Sequence, residues 1–295
     1  MLRPDDLPAE VHALLERARN AGSTLWVVGG ALRDARHGGP IEDIDLGSAL
    51  RPSEFVALLD DPPSARRDDR LGVCSFRCGR HEVVHTTFRV ESDYGSDRRP
   101  RQVGFVDDPR LDSVRRDFTA NALYLEPLSG VLLDFHGGRA DLEASRLRTI
   151  GDPRQRFRED PLRILRAVRF EARSGLRPTP ACAAAMGEFA GALASLVPQR
   201  RFLELDAILR SFDARPAIDR LLDLGAWDAI VAGLDARSPA IRNRLEGFGP
   251  QTARDLPGRW RRLLGVGEQA ESSLRKLEAP RELRRRLAAI SADPD

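Results

Sequence analysis

Apolar residues run along this chain in two rhythms, and the change between them falls near residue 150. In the first part they form short, often β-branched runs separated by polar or glycine-containing stretches, the pattern of strands. The runs Leu25–Val28, Ile41–Leu46, Val73–Arg77, Glu82–Arg89, Gln102–Val106 and Val131–Asp134 are therefore predicted strands. Gly29 and Gly30 follow the first run; a tight turn there lets Ala31 to Arg36 begin a helix. The polar stretch VESDYGSDRRP, from Val90 to Pro100, reads as a mobile loop. From Pro161 onward apolar residues recur at steps of three and four, as in PLRILRAVRFEARSGL, RFLELDAILRSF and AIDRLLDLGAWDAIVAGL, which predicts helices. The C-terminal stretch is helical and arginine-rich before the polar SADPD.

Composition narrows this picture. At 295 residues, with 41% apolar and 31% charged side chains, the chain is long enough for two globular domains. No run approaches the ~18 apolar residues of a membrane span, and MLRPDDLPAEVH lacks the apolar centre of a signal peptide. Cys74, Cys78 and Cys182 are odd in number and show no zinc-like pairing, which suits a reducing, cytoplasmic setting. A net charge of +2 says little about partners, but all except one of the 47 basic side chains are arginine, Lys276 being the only lysine. Contacts to phosphates or bases would therefore come mostly from guanidinium groups, which bond bidentately.

The densest chemistry lies in WVVGGALRDARHGGPIEDIDLGS, from Trp26 to Ser48. Asp43 and Asp45 stand two apart on a predicted strand, so their side chains share a face. Carboxylates that close repel unless a cation lies between them, and Mg²⁺ takes such oxygen ligands while leaving positions for water and phosphates. RRDFTANAL, from Arg115 to Leu123, places two arginines beside an aspartate at the start of an apparent helix. In DPRQRFREDPLRILRAVRF, Pro161 suits a first helical turn. Arg163, Arg166, Arg169 and Arg173 then form one stripe, opposite a buried arc of Ile164, Leu165, Val168 and Ala172. Asp160 precedes Arg163 by three, an acceptor and a bidentate donor side by side that can read the edge of a nucleobase.

GGALRDARHGGPIEDIDL, RRDFTANAL and RFREDPLRILRAVRF, in this order, resemble the class II tRNA nucleotidyltransferase and bacterial poly(A) polymerase family, and the resemblance extends over roughly residues 20 to 290. It implies an α+β fold. A polymerase-β-like nucleotidyltransferase head with a mixed sheet and flanking helices would occupy residues 1–150, a helical neck 151–213 and a helical RNA-binding body 214–295, with a tail domain short or absent. The implied activity is template-independent addition of CCA, or of the terminal A, to the 3′ end of tRNA from CTP and ATP, with release of pyrophosphate. A poly(A) polymerase is the alternative, and a non-catalytic RNA-binding relative a weaker one. The length of the Val90–Pro100 loop favours CCA or terminal-A addition, because the resemblance ties a shortened loop to CC-only enzymes.

Residue by residue, the resemblance makes Asp43 and Asp45 the catalytic carboxylates that hold two Mg²⁺ ions. Gly29, Gly30 and Arg33 would cradle the triphosphate, and Arg116 with Asp117 the ribose and phosphate. Asp160 and Arg163 would select the base, and Arg166 and Arg169 would bind the nucleotide from the same helix. One position departs from the pattern: where the family carries a third carboxylate this chain has Val84, and Glu82, two residues earlier on the same strand face, is the candidate substitute. The expected partner is the tRNA 3′ end; no membrane or protein partner is evident.

Overall fold

The computed structural model describes residues 6–34, 43–59, 65–78, 81–94, 100–232, 238–246, 248 and 256–291. The chain forms two compact units, Met1–Ile150 and Gly151–Asp295. The strands of the first unit are β1 Trp26–Val28, β2 Asp43–Ser48, β3 Arg66–Asp68, β4 Val73–Cys78, β5 His81–Thr87, β6 Arg89–Tyr94, β7 Pro100–Phe105, β8 Leu123–Glu126, β9 Val131–Asp134 and β10 Arg146–Leu147. Its helices are α1 Ala9–Asn20, α2 Gly30–Asp34, α3 Pro52–Val56, α4 Pro109–Val114 and α5 Gly138–Glu143.

Seven strands form one sheet in the order β3-β4-β5-β2-β1-β8-β9, and within it only β2 and β5 run parallel. Alternation along the strands gives the sheet two unlike faces. Val27, Ile44, Leu46, Val83, His85 and Thr87 are buried on one of them, where Phe55 of α3 stacks on His85 with ring centres 4.0 Å apart. The other face carries Asp45, and the registers extend this face across three strands: Asp45 is opposite Val28, and Val28 is opposite Tyr124.

Two sequence expectations are corrected here. Most of the described part of the Val90–Pro100 loop is strand, because β6 pairs with β7 in an antiparallel ribbon from Arg89↔Phe105 to Tyr94↔Pro100; residues 95–99 lie outside the described residues. RRDFTANAL starts no long helix: Thr119–Asn121 is a single 3-10 turn, and the chain then enters β8. The cause is tertiary, since Leu123, Tyr124 and Leu125 are all buried and β8 is hydrogen-bonded on both edges, to β1 and β9.

Among the described residues the second unit is helical apart from β11 Arg177–Pro178. It consists of α6 Pro153–Glu159, α7 Leu162–Ser174, α8 Pro180–Phe189, α9 Pro198–Leu209, α10 Arg215–Asp223, α11 Trp227–Ile230, α12 Pro239–Glu246, α13 Leu256–Leu264, α14 Glu268–Lys276 and α15 Arg281–Ser291. The starts follow local chemistry: Asp152 caps α6 by accepting from the N–H groups of Arg154 and Gln155, and Pro153 and Pro198 sit where a helix needs no donor. Gly175 ends α7 in the left-handed region at φ 61°. Among the described residues no helix is long and apolar enough to cross a membrane.

Candidate active site

The first unit brings two of its candidate residues, Asp45 and Arg116, to Gly29. This residue leaves β1 with φ +69°, a conformation that disfavours a side chain, and α2 begins at Gly30. A Cβ on Gly29 would stand 3.4 Å from Asp45 Oδ2 and 3.7 Å from Arg116 Nη1. A carboxylate and a guanidinium thus converge on a backbone turn that carries no side chain of its own. Asp45 is half-buried. Asp43 opens β2; its side chain and that of Arg33 lie outside what is described.

The third-carboxylate question takes a definite form in the sheet. β2 and β5 pair in parallel with Asp43↔Glu82 and Asp45↔Val84, so Glu82 is the residue in register with Asp43. Glu82 is exposed and Val84 half-buried. The set of oxygen donors, with Asp43 and Asp45 two apart on one strand and Glu82 in register beside them, has the chemistry that Mg²⁺ requires.

Arg116 is held by a buried network. Its Nε donates to the Tyr124 hydroxyl at 2.8 Å and its Nη2 to Asp112 Oδ2 at 3.1 Å, while Nη1 reaches the Asn121 carbonyl at 3.3 Å. The Tyr124 hydroxyl in turn donates to Asp112 Oδ2 at 2.7 Å. Asp112 Oδ1 accepts from Arg115 Nε at 2.8 Å and from the Arg89 N–H at 3.2 Å. Burial works against charge on Asp112, but the Arg116 and Arg115 guanidiniums and the Tyr124 bond outweigh it and hold its carboxyl below the usual range. Burial pushes the Tyr124 hydroxyl well up, so it stays a proton donor at neutral pH. Asp117, beside Arg116, is buried, and its Oδ1 accepts from the Phe118 N–H at 2.8 Å and from Asn121 Nδ2 at 3.0 Å. These bonds shape the 3-10 turn that follows.

In the second unit the arginine stripe differs from the solvated face that its spacing suggests. Arg163 is only 6% exposed. Its Nη1 donates to Glu159 Oε2 at 2.9 Å and to the Arg156 carbonyl at 2.8 Å. Burial opposes charge on Glu159, but the bond from Arg163 and the charge of Arg156 keep its carboxyl below the usual range. Asp160, expected beside Arg163, uses Oδ1 to accept from the Leu162 N–H at 3.1 Å and Oδ2 to pair with Arg200 Nη2 of α9 at 2.8 Å. Arg166 and Arg169 approach one acid, Glu204, at 3.5 and 2.9 Å. Both guanidiniums also lie over the Phe170 ring, 5.4 and 4.9 Å from its centre.

Sequence reading therefore found the arginines but missed their partners. Asp112 was within reach, since it stands three and four residues before Arg115 and Arg116 on a short helix. Glu159, four before Arg163, carries the same signal. Tyr124, Arg200 and Glu204 carry none, because strand pairing or helix packing brings them in.

Residues 25–148 match the family model described as the poly A polymerase head domain. The CCA-adding enzyme of Streptococcus suis is 34% identical over 230 residues, 77% of this chain and 56% of that enzyme. That of Bacillus licheniformis is 31% identical over 237 residues, 80% of this chain and 59% of that enzyme. The chain thus spans little more than half the length of these relatives. Its fold matches the crystal structure of the Bacillus stearothermophilus CCA-adding enzyme in complex with CTP at a TM-score of 0.80 and 27% identity, covering 97% of this chain and 70% of that one. A tRNA nucleotidyltransferase complexed with a primer tRNA and an incoming ATP analog shares the fold at a TM-score of 0.73 and 22% identity, over 95% and 84% of the two chains.

Proposed function

The chain belongs to the tRNA nucleotidyltransferase and poly(A) polymerase family, and from that premise we propose that it adds CCA, or the terminal A, to the 3′ end of tRNA without a nucleic-acid template. CTP and ATP are the nucleotide donors and pyrophosphate is released. The observation that carries this reading is the convergence of Asp45 and Arg116 on the side-chain-free turn at Gly29. An anionic ligand there meets a fixed cation, and a divalent cation meets a carboxylate.

Asp43 and Asp45 are the residues that would hold Mg²⁺, with Glu82 next to Asp43 in the sheet as a third oxygen donor. When bound, the metal supplies Lewis-acid activation of the RNA 3′-hydroxyl and neutralises charge on the triphosphate. Gly29, Gly30, Arg33 and Arg116 would bind and orient that triphosphate and the ribose. The local bonds of Asp117 keep the backbone beside Arg116 in place. In the second unit, base choice is assigned to Asp160 and Arg163, and further nucleotide contacts to Arg166 and Arg169. Glu159, Arg200 and Glu204 would fix those side chains when no nucleotide is bound, so that few rotamers remain to be ordered on binding.

The test is incubation with tRNA lacking its 3′ end and with each labelled nucleotide, singly and paired. Growth by CCA with CTP and ATP together identifies full addition, and growth by one A on a CC-ending tRNA identifies terminal-A addition. Long tails from ATP alone would instead identify a poly(A) polymerase. Asp45→Ala should lower incorporation of every nucleotide at least ~10³-fold while tRNA binding stays near wild type, because several kcal/mol of transition-state stabilisation depend on the metal. A variant retaining a tenth of wild-type incorporation at saturating Mg²⁺ would refute the metal assignment.

A further inference from the structure

The residues that hold Arg116 form a unit in their own right. Asp112 and Tyr124 are both fully buried, yet neither lies on the Gly29 turn. Tyr124 reaches the network through the sheet: it is opposite Val28, which is opposite Asp45, so one row across three strands runs from the carboxylate to the phenol. Its ring meets Phe88 edge-on with centres 5.9 Å apart, and the Arg116 guanidinium lies 5.0 Å from its centre on the way to the hydroxyl. The hydroxyl bonds twice, accepting from Arg116 Nε and donating to Asp112 Oδ2. The same Asp112 oxygen receives Arg116 Nη2, so phenol, carboxylate and guanidinium close a three-membered cycle.

The other Asp112 oxygen extends the unit toward the β6–β7 ribbon. It takes Arg115 and the Arg89 N–H, and the Arg89 and Arg115 guanidiniums both approach Glu91 Oε1, at 2.7 and 3.4 Å. The Arg89 Nη1 also donates to the Leu71 carbonyl. Strand β6, helix α4 and strand β8 are thus joined at one carboxylate, and the product of that junction is the placement of a single guanidinium at the Gly29 turn, which Asp45 also approaches.

We propose that Asp112 and Tyr124 are positioning residues of the nucleotide site, holding the Arg116 guanidinium at the Gly29 turn and so setting nucleotide affinity. This rests on the reading of the first unit as a nucleotide site. A free arginine side chain samples many rotamers. The cycle removes that freedom before the ligand arrives, which lowers the cost of binding. Without the phenol hydroxyl, Arg116 keeps its bonds to Asp112 and the Asn121 carbonyl but loses its shortest one, and its Nε is left with the longer 3.3 Å contact to Asp112 Oδ2.

Tyr124→Phe keeps the ring and removes only the hydroxyl. With the full chain, the Kd for ATP in Mg²⁺ is measured by equilibrium dialysis, and KM for ATP and for tRNA ending in CC by incorporation. The expected result is a five- to tenfold rise in Kd and KM for ATP, KM for tRNA within twofold of wild type, and an unchanged far-UV circular dichroism spectrum. Asp112→Asn should act in the same direction and more strongly. An ATP Kd within twofold of wild type in Tyr124→Phe overturns the proposal. So does an equal loss toward ATP and tRNA, or failure of both variants to fold, since each marks a purely architectural role. If the wild-type chain binds ATP but extends no RNA, the proposed function falls while the ratio of the two Kd values still decides this inference. If it binds no nucleotide, both fall.

Discussion

At the scale of single residues, position in the sheet separates chemistry from support. Asp45 lies on the face that converges on Gly29, whereas His85, on the opposite face, is fully buried with its Nε2 2.8 Å from Ser48 Oγ. Its Nδ1 has no hydrogen-bond partner, and burial drives its pKa from 6.5 down to about 3. Because the folded value lies below the unfolded one, the stability His85 contributes is complete above pH 6.5 and is lost as pH falls from there toward about 3. Lowering the pH from 7 to 5 should therefore cost about 2 kcal/mol of unfolding free energy through this group. Urea titrations at the two pH values check this, and His85→Gln, which cannot be charged, should flatten the difference.

Among elements, α9 carries the most consequence for the second unit. Its first turns supply Arg200 to Asp160 and Glu204 to Arg166 and Arg169, so one helix fixes three of the candidate nucleotide residues on and before α7. Arg200→Ala would leave Asp160 without that guanidinium, and its carboxylate could turn away from the orientation a base edge needs. If Asp160 selects the base, discrimination of ATP against GTP and UTP should fall roughly tenfold, within the ~1–3 kcal/mol of a bidentate edge contact. Misincorporation assays with all four nucleotides report it. Equal loss with all four would mean that Arg200 supports the helix rather than the choice.

For the whole molecule, the chain divides into two compact units, each with buried apolar residues of its own. In the second unit, Arg259 of α13 is 1% exposed and reaches the open end of α9. It donates through Nη1 to the Leu209 and Ser211 carbonyls and through Nη2 to that of Phe212. Of these only Leu209 belongs to α9, as its last residue, where the carbonyl has no partner within the helix, and a cation there also favours the helix dipole. Arg259→Met retains bulk and removes the donors, which should destabilise this unit by about 2–4 kcal/mol, since buried carbonyls are left unsatisfied. Hydrogen exchange should then show lost protection across α9 and α13 with the β-sheet of the first unit unchanged. A loss shared equally by both units would show that they unfold together.

What the sequence determined by itself was everything that depends on neighbours along the chain. The turn at Gly29, the two-residue spacing of Asp43 and Asp45 on one strand, the helix that starts after Pro161, and the three–four periodicity of α7 follow from local backbone geometry and could be read directly. The arginines of the site were legible for the same reason. Their partners were decided by the tertiary structure. Pairing of β2 with β5 set Glu82 beside Asp43, pairing of β1 with β8 brought Tyr124 into the row of Asp45, and packing of α9 on α7 carried Arg200 to Asp160 across 40 positions of sequence. Strands β6 and β8 were misread because their polar or ambiguous residues become strand only when a neighbour supplies the hydrogen bonds, whereas Gln102–Val106 was read as strand and falls on β7. Spacing along a chain fixes which face a side chain takes. Which charge meets it there is fixed by burial, because only the folded interior makes an unpartnered ion costly enough to choose one.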